Sequence, residues 1–391
     1  MNSININSNR LDHLLKLYNL SKGDFLSKLN QGRKNEVLEN EVFNTQIKIS
    51  LLKKIDEFFK KGLSYYIDPK DLKESKDESI FFRKDKFNAE LSLGAKQIVN
   101  HFEEEKIALS ALSKLSDLKM ERLLPIYALR DSPQKVANEV RETLYPYFNK
   151  DRKEFLKSLI NKFAEYNILV FEFIETWNKK ERANINGFYL MPNVIVLKRN
   201  QKSLRREIFT LAHELGHYLL NIEEIDDKTS ENLINHNTLS QSEKWCNDFA
   251  YYFLAGNYDS TISNLEQATA KNDFHHELIA SISENTNLST ISLYTRLLLN
   301  NKISQTNYNN VSDEILESIK EREKQLQQER EISKKKAEEE GRKISGATPK
   351  PIQSPLYVKT IQAAFFEGVI NEAEFCKRLN IKADKMDKYL R

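Results

Sequence analysis

Two cysteines, Cys246 and Cys376, are all that the 391 residues contain, and neither has a CxxC partner, so a disulfide framework and a cysteine-rich zinc site are both excluded. Glycine and proline are scarce, ten and eight respectively, and no internal repeat is present. With abundant Leu, Lys and Glu, that scarcity favours helix through most of the chain. Charge of one sign is lacking as well. The 60 basic residues face 57 acidic ones, leaving a formal net charge of +3, so no bulk attraction to nucleic acid or to an anionic membrane follows and any such contact is local. The longest apolar stretches, such as "NILVFEFI", fall far short of the roughly 20 residues that cross a bilayer. The amino terminus "MNSININSNRLDHLL" has no basic segment followed by an apolar core, as a secretory signal would. The expectation is a soluble cytoplasmic protein with no membrane partner.

With 40% hydrophobic residues the chain can bury a sizeable core, and its length suits two or three domains. In residues 10 to 68, Leu11, Leu14, Leu15 and Tyr18 recur at helical spacing, Asn19 is a stop signal, Ser21 a cap, and Phe25, Leu26 and Leu29 form a second apolar stripe. Helix, short turn, helix is the pattern of a helix-turn-helix, and equally of a plain helical hairpin. "DSPQKVANEVRETL" predicts a helix capped by Asp131 or Ser132, started by Pro133, and packed through Val136, Val140 and Leu144. "NILVFEFIE" and "GFYLMPNVIVLK" are short and rich in β-branched and aromatic residues, which predicts paired strands, the only convincing ones in the chain. Helix resumes at Ser203. The charged run "IKEREKQLQQEREISKKKAEEEGRK" reads as a solvated helix or a disordered linker, because both signs alternate. After the proline-containing "SGATPKPIQSP", the last 36 residues read as a small helical module in which Gly368 ends one helix and Asn371 caps the next.

The chemistry concentrates in "FTLAHELGHYLLN", residues 209 to 221. Residues four apart on a helix share a face, so His213 and His217 can direct both imidazoles at one ion. Glu214 is offset by about 100° of helical rotation, which brings its carboxylate beside the ion without filling its coordination sphere. A catalytic zinc site needs a third protein ligand and an open position. The sequence offers Glu243 in "SQSEKWCNDFAYYFLAG", a second helix on which Glu243, Asn247 and Ala250 share a face, and Asn247 is placed to orient one histidine. His236, Glu223, Glu224, Asp226 and Asp227 remain rivals for that position. A third ligand after a glycine break is disfavoured, because Leu220 stands where that glycine belongs and "YLLNI" reads as continued helix. Cys246 reads as a packing residue.

"REIFTLAHELGHYLL" followed by "EKWCNDFA" resembles the ImmA/IrrE family of metallo-endopeptidases, with Cys246 in place of the family's usual alanine. "DSPQKVANEVRETL", "NILVFEF" and the strand pair "NGFYLMPNVIVL" also look like that family's approach to the motif. The resemblance implies a zincin-like HExxH core in a mainly α fold with a small β-sheet (α+β), flanked by helical amino- and carboxy-terminal domains. It implies His213, His217 and Glu243 as ligands of one zinc ion and Glu214 as general base. Tyr251, one turn beyond Asn247, is the candidate stabiliser of the transition state. The expected division is 1–70 a degenerate Xre-type helix-turn-helix, 71–128 a helical connector, 129–260 the peptidase, 261–318 a helical extension, 319–355 a charged helix and linker, and 356–391 the terminal module. The implied substrate is an Xre-type repressor or antitoxin whose cleavage regulates a stress, phage or mobile-element response. The alternative is a DNA-binding transcription regulator in which the peptidase-like domain serves as sensor or interaction module.

Overall fold

The structure, a computed structural model, describes residues 3–18, 20–33, 35–70, 91–175, 182–201, 203–225, 239–340 and 349–390. The chain divides into two compact units, residues 1–103 with 181–184, and residues 104–180 with 185–391.

The first unit opens with β1 (Ser3–Asn5), α1 (Ser8–Leu17), α2 (Lys22–Asn30) and α3 (Glu39–Val42). It continues with β2 (Gln46–Lys48), α4 (Ile49–Phe59) and α5 (Leu63–Ile67). The Ser21 hydroxyl accepts from the Asp24 amide and starts α2, while Asn19 lies outside the described residues. Leu11, Leu14, Tyr18, Phe25, Ile55 and Phe59 close its core. β1 and β2 pair antiparallel from Ser3↔Lys48 to Asn5↔Gln46, strands that the sequence did not announce. Three residues each are too few to show an alternating pattern, so this pairing is set by the fold around it.

α6 (Leu93–Leu115) leads into the second unit, which continues with α7 (Pro133–Leu144), α8 (Arg152–Glu165), β3 (Leu169–Ile174), β4 (Gly187–Leu190) and β5 (Val194–Arg199). Next come α9 (Leu204–Leu220), α10 (Gln241–Ala255), α11 (Tyr258–Ser263), α12 (His276–Thr286) and α13 (Thr290–Leu299). α14 (Gln305–Glu339), α15 (Pro355–Phe366) and α16 (Glu372–Leu379) complete it. Helix predominates and the sheets are small, the α+β class. α7 starts as its sequence predicts: Ser132 caps, Pro133 follows, and Val136, Val140 and Leu144 are buried. The sheet has the order β3-β5-β4, with β3 parallel and β4 antiparallel to β5. β3 and β5 are mostly apolar and buried along most of their length, with Glu172, Lys198 and Arg199 as the charged exceptions.

α9 ends earlier than its sequence suggests. Asn221 adopts a left-handed conformation at φ 53°, and the Ile222 amide donates to the His217 carbonyl at 3.1 Å. Asparagine tolerates that region better than other non-glycine residues, so it stops the helix where glycine was the expected signal. α14 carries the charged run as continuous helix as far as Glu339, with most of its second half exposed, and the run's last residues lie outside the described ones. No helix among the described residues is long and apolar enough to cross a membrane.

One buried charge network joins the sheet, α9 and the segment before α15. Arg199 on β5 donates from Nε to Glu207 Oε2 of α9 at 2.6 Å and pairs through Nη1 with Glu172 of β3. Glu172 Oε2 also accepts from the amides of Ile352 (2.6 Å) and Gln353 (3.0 Å), which ties the segment before α15 to the sheet. Removing one partner of such a group strands the others in low dielectric, at a cost of about 3–5 kcal/mol. Arg199→Leu is therefore expected to lower stability by about that amount, read as a shift in the urea unfolding midpoint of the whole protein.

Candidate metal centre

α9 and α10 carry the site, and caps fix where each begins. The Ser203 hydroxyl accepts from the Arg206 amide at 3.2 Å, and the Ser240 hydroxyl accepts from the Glu243 amide at 3.1 Å. That second cap sets Glu243 in the first turn of α10, where the positive end of the helix dipole favours a carboxylate. The two helices meet at Gly216. A Cβ there would come within 3.1 Å of the Cα, Cβ and Sγ of Cys246, closer than ordinary packing, so any larger residue would press α10 outward by a few tenths of an ångström. Trp245 and Phe249 stack 5.5 Å apart in the same core.

The approach brings three side chains to one point. His213 Nε2 lies 3.2 Å from His217 Nε2 and 3.2 Å from Glu243 Oε2, and His217 Nε2 lies 3.1 Å from Glu243 Oε1. Among the described residues this is the one group of three His, Cys, Asp or Glu side chains that could hold an ion. In a tetrahedral site with ligand distances of about 2.0–2.1 Å, neighbouring ligands lie roughly 3.3 Å apart, close to these separations. The His213 Nδ1 donates to Asn247 Oδ1 at 3.0 Å, which fixes the tautomer whose Nε2 lone pair points into the triangle. His217 Nδ1 is buried without a hydrogen-bond partner among the described residues. His217 and Glu243 are themselves buried, 1% and 5% exposed, so the cluster without an ion would carry a large desolvation cost that a divalent cation offsets. The donor set and its spacing fit zinc.

Burial acts to raise the Glu243 carboxyl, but the charge and hydrogen bonds of the two imidazoles outweigh it and hold the group well below the usual carboxylate range. Burial pushes the Cys246 thiol well up, reinforced by Glu243, Glu214 and Glu224. It therefore stays a neutral packing group, as its sequence context implies.

Glu214 is buried on the same helix but outside the three-residue group. Its side chain lies against β4: a Cβ on Gly187 would come within 3.0 Å of Glu214 Oε1 and 2.8 Å of Thr210 Cγ2. Gly187 was not singled out from the sequence, where a glycine opening a strand gives no sign of what packs over it. The Tyr251 hydroxyl donates to Asp259 Oδ1 at 3.1 Å, with the Arg296 guanidinium 4.4 Å from its ring. That engagement holds α10 to α11, and the structure does not bring the hydroxyl into the ligand group. Two of the rival ligands brace the site. Glu223 Oε1 accepts from the Met191 amide at 2.7 Å, and Glu224 accepts from the Ser242 hydroxyl. Asp226, Asp227 and His236 lie outside the described residues.

Asn247→Ala removes the acceptor that orients His213 and is expected to weaken zinc binding about 10- to 100-fold, measured by competition with a chromogenic chelator. No curated protein matches the chain. Residues 164–256, the span from the end of α8 through the sheet to α10 that holds His213, Glu214, His217, Glu243 and Asn247, match the peptidase family model described as IrrE N-terminal-like domain.

Proposed function

We propose that this chain is a zinc-dependent endopeptidase. The observation that carries the reading is the converging triangle of His213, His217 and Glu243, with Asn247 setting the histidine tautomer, inside an IrrE-like peptidase domain. When bound, the ion supplies Lewis acidity that polarises the scissile carbonyl and acidifies a water. His213, His217 and Glu243 hold it. Glu214, on the same helix but outside the ligand set, takes the proton of the attacking water and passes it to the leaving amine. Gly187 leaves the space in which that carboxylate sits, and the surrounding apolar side chains of α9 and α10 hold the groups rigid.

The proposed substrate is an Xre-type helix-turn-helix repressor or antitoxin, whose cleavage would relieve repression in a stress, phage or mobile-element response. The family resemblance supports this choice. Glu214→Gln preserves shape while removing the base, so it is expected to keep one zinc per chain and to lose at least about 100-fold in cleavage rate. The check is co-expression with the repressor-like product of a neighbouring gene, followed by zinc analysis and detection of the cleaved fragment. Full cleavage by this variant would sink the mechanism.

The regulator reading draws on the first unit, where α1 and α2 pack into a core of their own. Between α2 and β2 the described chain forms only the one-turn α3, which leaves little helix to read a DNA groove. If this unit nonetheless binds DNA, affinity for the protein's own promoter will fall steeply with salt and vanish on deletion of residues 1–70, as read by fluorescence anisotropy.

A further inference from the structure

Apart from the metal centre, a cavity of about 270 Å³ lies where α7, the end of α10, the start of α11 and α12 meet. Arg141, Tyr145, Phe148, Asn257, Tyr258 and Asn285 line it, and none of His213, Glu214, His217 and Glu243 does. The Arg141 guanidinium is fixed by its surroundings. Its Cζ lies 3.4 Å from the centre of the Tyr145 ring, and its Nη1 donates to the Phe253 carbonyl in the last turn of α10. Tyr145 packs in turn against Phe155 and Phe253. Gly256 makes room for the group. A Cβ there would come within 2.7 Å of Arg141 Cζ and 2.8 Å of both Nε and Nη2. A point closer to the central carbon than to either nitrogen sits over the flat face, so the glycine leaves the edge that carries Nε and Nη2 clear.

What Arg141 lacks is a counter-charge. Arg152 and Arg205 pair with Glu284 and Arg296 pairs with Asp248, whereas Arg141 pairs with no carboxylate among the described residues. Its Nε and Nη2 make no hydrogen bond there, and neither atom is sealed from solvent. Together they form the side of a guanidinium that meets two oxygens of one carboxylate or phosphate at once. We propose that this cavity binds a small anion, a carboxylate or phosphate carried on a flat ring. The anion takes the open edge of Arg141. The ring lies among Phe148, Tyr145 and Tyr258, the last 38% exposed at the surface. A volume at the lower end of the about 300–1,000 Å³ usual for ligand pockets suits a compound of one or two rings. The proposal does not rest on the peptidase reading.

The test is calorimetric titration of the full chain with benzoate, phenyl phosphate and neutral benzamide. Wild type is expected to bind at least one of the two anions with a Kd below about 1 mM. It is expected to prefer that anion to benzamide by at least about tenfold, the scale of a hydrogen bond to a charged group. Tighter binding of benzoate, or of phenyl phosphate, supports the site and tells a carboxylate ligand from a phosphate one. Arg141→Gln removes the paired donors and is expected to bring the preference to within about twofold. Because Arg141 also holds the Phe253 carbonyl, Asn257→Trp serves as a second variant. At an exposed position on the cavity wall, it leaves the guanidinium in place, fills the space and is expected to weaken the anion at least about tenfold. Failure of both anions to bind below about 1 mM, equal binding of benzamide, or anion binding that survives in either folded variant overturns the proposal.

Discussion

The close crossing of α9 and α10 at Gly216 and Cys246 sets the distance on which the ligand triangle depends. Two histidines on one helix make a pair whatever lies opposite. The third ligand arrives only if the second helix comes near enough, and side chains at the crossing would hold it off. A methyl group on Gly216 would push against α10 backbone, which has no flexible end to yield. The same crossing lets Asn247 reach His213 four residues after Glu243, so ligand and orienting amide come from one rigid face.

The sheet fixes the other side of the helix. β4 lies over Thr210 and Glu214, and its first residue is a glycine because the carboxylate occupies the space of a side chain. The β4–β5 hairpin is held in turn by Glu223, whose carboxylate accepts from Met191 just beyond the strand. Residues that attract attention as acidic candidates for an ion thus build the walls around it. Their chemistry is the same as a ligand's, and only position separates the roles.

This explains how much was legible in the sequence. The helix with its two histidines, Glu243 and Asn247 could be picked out because helical periodicity projects residues onto faces without knowledge of the fold. The strands were legible from their β-branched and aromatic runs. The Arg199, Glu172 and Glu207 network was not, since a charged residue ending a strand ordinarily points to solvent and its burial depends on partners 27 and 8 residues away. Gly187 and Gly216 were silent for the same reason: the residue each must accommodate is supplied by another element. Tyr251 depends on another element in the same way. Its hydroxyl is held by Asp259, which the helical wheel does not see.

Glu172 connects these matters to the order in which the chain is made. Its carboxylate shares Arg199 with Glu207, so the group holds one more negative than positive charge, and its remaining acceptor is satisfied by amides about 180 residues later. A ribosome delivers β3, β5 and α9 long before it delivers Ile352 and Gln353. Until those amides arrive, the second oxygen of the Glu172 carboxylate lacks the two donors that satisfy it in the finished fold. The segment before α15 therefore closes the buried charge network that holds β3 and β5 to α9.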